Sequence, residues 1–92
     1  MTEATKYKVS IEYCASCNYK PQMMRVSDEL LSSYQHVIDE MILVPGSRGI
    51  FDVKVNDKLI FSKHETNRHA EGGEMLALFS EVVGKSVPIF PQ

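Results

Sequence analysis

The sequence has no tryptophan and only two cysteines, Cys14 and Cys17, among 92 residues. Two cysteines are too few for the disulfide scaffold of a small secreted domain, so packed apolar side chains have to hold the fold. A cationic excess is also missing: acids outnumber bases 12 to 10, for a net charge of −2. Backbone phosphates select for such an excess, and we expect no nucleic-acid partner. No apolar run approaches the ~20 residues that cross a bilayer, so no membrane partner is expected. Residues Met1 to Lys6 lack the basic and apolar regions of a secretory signal and read as a short frayed lead-in, which places the chain in the cytoplasm as an expectation. Repeats and low-complexity stretches are absent as well. The expectation is one domain over residues 1–92, burying roughly two thirds of the surface its unfolded chain exposes.

What is present has clear periodicity. Tyr7, Val9, Ile11 and Tyr13 alternate with Lys8, Ser10 and Glu12, the pattern of a half-buried strand. From Tyr19 the period lengthens: Met23, Val26, Leu30, Tyr34 and Val37 form an apolar stripe, with Met24, Leu31 and Ile38 beside it. Pro21 fits a helix only in its first turn, so this helix is predicted to start at or just behind Cys17 and to run past His36. Met41 to Val44, ending at Pro45-Gly46, is predicted to be a second strand, which makes a βαβ unit with parallel strands. Phe51, Val53 and Val55, then Asn56-Asp57, then Lys58 to Ser62, predict a hairpin with a two-residue turn. Residues 63–72 are polar and are expected to be a mobile connection, with Arg68 and Glu71 solvated. Met75, Leu76, Leu78, Phe79, Val82 and Val83 mark a second helix, closed by Gly84. The proline-broken tail from Val87 to Gln92 is expected to lie across the domain in extended form. Methionines 23, 24, 41 and 75 are expected in the core.

The sum is an α/β domain of order β-α-β-β-β-α, with a four-stranded mixed sheet and both helices on one face. That order matches a thioredoxin-like core. Cys14-Ala15-Ser16-Cys17 joins its first strand to its first helix. A helix N-terminus presents free N–H groups and a positive dipole end, both of which favour a thiolate. Two intervening residues let one sulfur reach the other, so a mixed disulfide can be resolved within the molecule. Cys14 and Cys17 are therefore the candidate catalytic residues. His64 and His69 stand five apart and raise a zinc reading together with the cysteine pair, but no second cysteine pair supports it, and no metal ligand is assigned.

Three segments resemble the selenoprotein W, T and H (Rdx) family, and most nearly its bacterial cysteine-containing members related to selenoprotein W. They are Val9-Ser10-Ile11-Glu12-Tyr13-Cys14-Ala15-Ser16-Cys17-Asn18-Tyr19-Lys20, Pro45-Gly46-Ser47-Arg48-Gly49-Ile50-Phe51-Asp52-Val53, and Leu59-Ile60-Phe61-Ser62-Lys63. The resemblance implies a redox role and puts Cys17 at the position that is often selenocysteine. In thioredoxins the first cysteine of the pair attacks, whereas selenium at the second position implies attack from there; the sequence leaves both open. Thioredoxins also carry a proline opposite the disulfide, where this chain has Gly49-Ile50, which argues for an activity narrower than general disulfide reduction.

The leading functional reading is a thiol–disulfide redox protein that exchanges with protein thiols or glutathione. No bound cofactor is called for, and glutathione enters as a candidate co-substrate. The alternative is a non-catalytic protein-binding module whose cysteine pair acts as a redox switch.

Overall fold

The computed structural model describes residues 6–84 and 86–90. Most of the lead-in, residues 1–5, and the last two residues of the tail lie outside the described residues. The elements are β1 (Tyr7–Cys14), α1 (Lys20–Tyr34), β2 (Ile38–Gly46), β3 (Phe51–Val55), β4 (Lys58–Ser62), α2 (Lys63–Thr66) and α3 (Glu74–Val83). The sheet order is β2-β1-β3-β4. β1 and β2 are parallel, while β3 runs antiparallel to both its neighbours. The expected order and mixed four-stranded sheet are present, with the short α2 added. Among the described residues no helix is long and apolar enough to cross a membrane.

The two central strands account for the core. Val9 and Ile11 of β1 lie opposite Val55 and Val53 of β3, and all four are sealed from solvent. Met23, Val26, Leu30 and Tyr34 of α1 and Met75 and Phe79 of α3 join them in one apolar cluster, so both long helices cover the same face. Truncating one such side chain, as in Leu30→Ala, costs roughly 2–5 kcal/mol because the cavity does not fully collapse. Asn56 and Asp57 both take positive φ, 50° and 71°, as a two-residue hairpin turn requires. Asn56 also ties the hairpin to β1: its N–H donates to Lys8 O and its Oδ1 accepts from Lys8 N, each at 2.8 Å.

Several expectations change. α1 begins at Lys20, three residues after Cys17, because Pro21 takes the first turn and Asn18 reverses the chain with φ 60°. It ends at Tyr34; Gln35–Val37 tightens into a 3-10 turn that carries His36. Ile38 then belongs to β2, which starts three residues earlier than Met41 because its register against β1 begins at Tyr7. β2 is an edge strand, so Ile42, Leu43 and Val44 are exposed. Met24 is half exposed rather than in the core, since it lies beyond the stripe that faces the sheet.

The connection 63–72 is not a loose tether. Lys63–Thr66 is helical, and Asn67 stops it in the left-handed conformation with φ 63°. Ala70 is buried in the core. Arg25 of α1 donates to Ala70 O at 2.5 Å, and Glu29 accepts from the N–H of Gly73 at 3.3 Å. Arg68, although exposed, grips Glu74 through two bonds of 2.7 and 2.9 Å, and the N–H of Glu71 donates to the same carboxylate at 2.9 Å. These bonds hold the Glu74 carboxyl down to about 2, chiefly through Arg68. The tail does cross the domain: the N–H of Phe90 donates to Ser33 O at 2.6 Å, and His36 Nε2 lies 2.9 Å from Pro88 O.

Candidate functional site

Cys14 and Cys17 form a disulfide with Cα atoms 5.3 Å apart. Cys14 is the last residue of β1 and lies opposite Gly46 of β2. Its N–H donates to Ile50 O at 2.8 Å, and the next N–H, of Ala15, donates to Gly46 O at 3.1 Å. The disulfide turn is thus moored to the two segments that flank it. Gly49-Ile50 does lie beside Cys14, as its place in the sequence predicts.

The turn closes on itself through Asn18 N–H to Ala15 O and Tyr19 N–H to Cys14 O, at 3.1 and 3.3 Å. The two sulfurs are left in unequal settings. Cys14 is 0% exposed, and its Sγ sits 3.5 Å from the hydroxyl of Ser16. Cys17 lies in an exposed run from Ala15 to Asn18. A buried sulfur cannot meet a macromolecular thiol before an exposed one.

Next to the turn stands an aromatic group that the sequence reading did not assemble. His69 packs edge-on against Tyr19, with ring centroids 4.5 Å apart, and edge-on against Phe51 at 5.4 Å. Lys63 holds its ammonium 5.6 Å from the centre of the Tyr19 ring, within cation–π range. The direction in which a side chain at Gly49 would grow is bounded by His64 Cε1 and the Tyr19 hydroxyl, each at 3.9 Å. Residues 63–69 therefore fold back toward the disulfide turn. Burial lowers the pKa of His69, and the positive charges of Lys63 and Arg25 add to the effect, so its imidazole is neutral near pH 7. Its buried Nδ1 has no hydrogen-bond partner among the described residues. The only signal for this group was His69-Ala70, an aromatic and a small apolar residue inside an otherwise polar run.

Among the described residues no three His, Cys, Asp or Glu side chains gather in an arrangement fit to hold a metal ion. What remains is an exposed sulfur, a buried sulfur bonded to it, and a half-buried aromatic wall with cations near its rim.

Two crystal structures share this arrangement of elements. One is a selenoprotein W-related protein from Vibrio cholerae, with a TM-score of 0.82 and 22% identity, covering 87% of this chain and 100% of the other. The second is a protein from Bordetella parapertussis, with a TM-score of 0.80 and 22% identity, covering 84% of this chain and 98% of the other. At such identity the likeness establishes the thioredoxin-like fold. No curated protein matches the sequence significantly. The family model of the Rdx family matches residues 8–81, a span that contains the cysteine pair, β1 from Lys8 onward, the other three strands, α1, and α3 up to Glu81. By that match, and in keeping with the resemblance carried by its three motif segments, the chain belongs to the Rdx family.

Proposed function

We propose that this chain is a thiol–disulfide redox protein in which Cys17 attacks and Cys14 resolves. The observation that carries the reading is the unequal exposure of the two sulfurs: Cys17 is open to solvent and Cys14 is 0% exposed. Lys20 and Pro21 open α1 just after Cys17, so the positive end of the helix favours the thiolate there.

The reduced protein starts with two thiols. The Cys17 thiolate attacks one sulfur of a substrate disulfide, a mixed disulfide forms, and the second substrate sulfur leaves as a thiolate that takes a proton from water. Cys14 then loses its proton and attacks Cys17 Sγ, which releases the first substrate sulfur as a thiol. The protein gives up two electrons and becomes the Cys14–Cys17 disulfide; the substrate disulfide becomes two thiols. Two molecules of glutathione, or a protein dithiol, return the electrons by the reverse steps. No bound cofactor enters this cycle, and a cytoplasmic thiol pool suffices to drive it.

The test is a redox titration in defined glutathione buffers, with thiols trapped by an alkylating tag and counted by mass. A reversible two-electron transition is expected for the native protein. Cys14→Ser should accumulate one glutathione on Cys17, and Cys17→Ser should not accumulate an adduct. An adduct confined to Cys14 reverses the assignment, and absence of any disulfide across the range removes the redox reading.

A further inference from the structure

Exposed apolar surface on this molecule is concentrated at one sheet edge. Seven large apolar side chains are exposed among the described residues, and three of them, Ile42 at 37%, Leu43 at 40% and Val44 at 38%, are consecutive on β2. Two more lie on α1: Met24 at 51% and Leu31 at 38%. Seven residues apart, these two share one flank of the helix. The other flank carries Arg25 and Glu29, which bind Ala70 and Gly73 in the connection to α3. Met24 and Leu31 therefore line the side of α1 away from α3, above the β2 edge.

Among the described residues β2 pairs only with β1, so half of its backbone groups have no strand to meet. Gly46 O accepts from Ala15, which fixes the sense of alternation. Gly46, Val44 and Ile42 turn their backbone groups toward β1, and Met41 and Leu43 turn theirs outward. Exposed, apolar edges of this kind invite a further strand. No lysine interrupts the run from Met41 to Val44, and Pro45 removes an outward donor only at its end.

The charges identify the occupant. Asp39 and Glu40 stand exposed at the start of β2, and Arg48 stands exposed just past its end. α1 runs antiparallel to β2, which brings exposed Lys20 to the Arg48 end. Among the described residues none of the four makes a salt bridge or a side-chain hydrogen bond. The edge is thus anionic at one end, apolar in the middle and cationic at the other. Such a surface is complementary to itself under a two-fold rotation, the symmetry of most dimers.

We propose that β2 pairs antiparallel with β2 of a second copy, extending two four-stranded sheets into one of eight strands. An axis through Ile42 sets Met41 of each copy opposite Leu43 of the other, so that each such pair exchanges two N–H to C=O bonds. Pro45, with its missing donor, then falls opposite Asp39, where β2 already slips in register between the partners of Tyr7 and Lys8. Lys20 and Arg48 of one copy approach Asp39 and Glu40 of the other, and the apolar side chains close over the seam.

The test is sedimentation over a wide concentration range, in reductant so that Cys17 cannot cross-link the copies. The native chain is expected to pass from 10.4 kDa to twice that mass, and the amides of Met41 and Leu43 should gain hydrogen-exchange protection as it does. Leu43→Lys, at an exposed site, should stay monomeric. Two charge-swapped chains keep the proposal testable without touching the apolar residues. One carries Lys20→Glu and Arg48→Glu, the other Asp39→Arg and Glu40→Arg. Each alone should be monomeric, and their mixture should form a heterodimer. A native chain that stays monomeric at millimolar concentration overturns the proposal. So does a dimer that leaves Met41 and Leu43 unprotected or survives in each swapped chain alone.

Discussion

The imidazole of His69 stands edge-on to the ring of Tyr19, with centroids 4.5 Å apart. Through this contact the connection between β4 and α3 reaches the residue that caps the redox turn. Edge-to-face ring pairs are worth about 0.5–1.5 kcal/mol beyond their buried area, and His69 makes a second one with Phe51. We expect His69→Ala to destabilise the protein by about 2 kcal/mol from two such pairs, and His69→Phe to recover most of the loss. Urea unfolding of the three proteins decides it; equal midpoints for His69→Ala and the native chain would show the ring contacts contribute nothing.

The same histidine gives a pH dependence of known sign. Its pKa in the fold lies below the 6.5 of the free side chain. The unfolded chain therefore binds more protons in that window, and the folded state loses stability as pH falls through 6.5 toward the folded value. Above 6.5 the contribution is complete. The difference in stability between native protein and His69→Phe should shift by this amount on acidification, and a pH-independent difference counts against it.

Arg68 and Glu74 act at lower pH. The carboxyl is held down to about 2 against an ordinary 4.5, so its contribution is present above 4.5 and is lost as pH falls toward 2. Glu74→Gln should weaken the fold at neutral pH and remove that part of the acid dependence. The affected region should be the 67–74 segment, read as faster hydrogen exchange at Glu71, whose N–H the carboxylate accepts. Unchanged exchange there in the variant would sink the prediction.

Reduced protein offers a test of the unequal sulfurs that needs no substrate. A small alkylating agent should modify Cys17 about tenfold or more faster than buried Cys14. Peptide mapping after brief exposure reads the ratio, and equal labelling would contradict the assignment of Cys17 as the attacking residue.

Gly46 marks where β2 passes close to the turn. A Cβ there would come within 2.9 Å of Ile50 Cγ2 and 3.0 Å of the Glu12 side chain. Gly46→Ala should cost about 1–3 kcal/mol by overpacking. It should also disturb the bond from Ala15 to Gly46 O, visible as a shifted Ala15 amide resonance. A variant as stable as the native chain, with Ala15 unmoved, would show that the neighbours yield freely.

Much of this architecture was legible because local and tertiary demands coincide. Val9, Ile11, Val53 and Val55 alternate because one face of β1 and β3 is buried and the other is not. Asn56-Asp57 announces a turn because few residues tolerate two positive φ angles. Ile38 was misplaced because it continues the spacing of Leu30, Tyr34 and Val37 equally well as a helix; only pairing with Tyr7 decides for the strand. Met41 to Val44 was legible as a strand, but that Ile42, Leu43 and Val44 stay exposed was not, because an apolar run carries no sign of lying at an edge. His69 was invisible as a neighbour of Tyr19, since 50 residues separate them and the segment around it has no period. The cysteine pair was legible as a pair able to form a disulfide from its spacing and place, but which sulfur faces water depends on the burial of the β1 terminus.

The two backbone bonds that moor the turn, Cys14 to Ile50 and Ala15 to Gly46, have a consequence for the reduced state of the pair. Neither involves sulfur, so neither is spent when the disulfide opens. On the redox function proposed above, the scaffold should therefore keep its form in both oxidation states, and electron exchange should ask for little reorganisation of the chain. A partner that distinguishes the two states must then sense the Cys17 sulfur itself rather than a displaced loop. Amide shifts of Cys14 and Ala15 that barely change on reduction would register this stiffness, and large shifts would refute it.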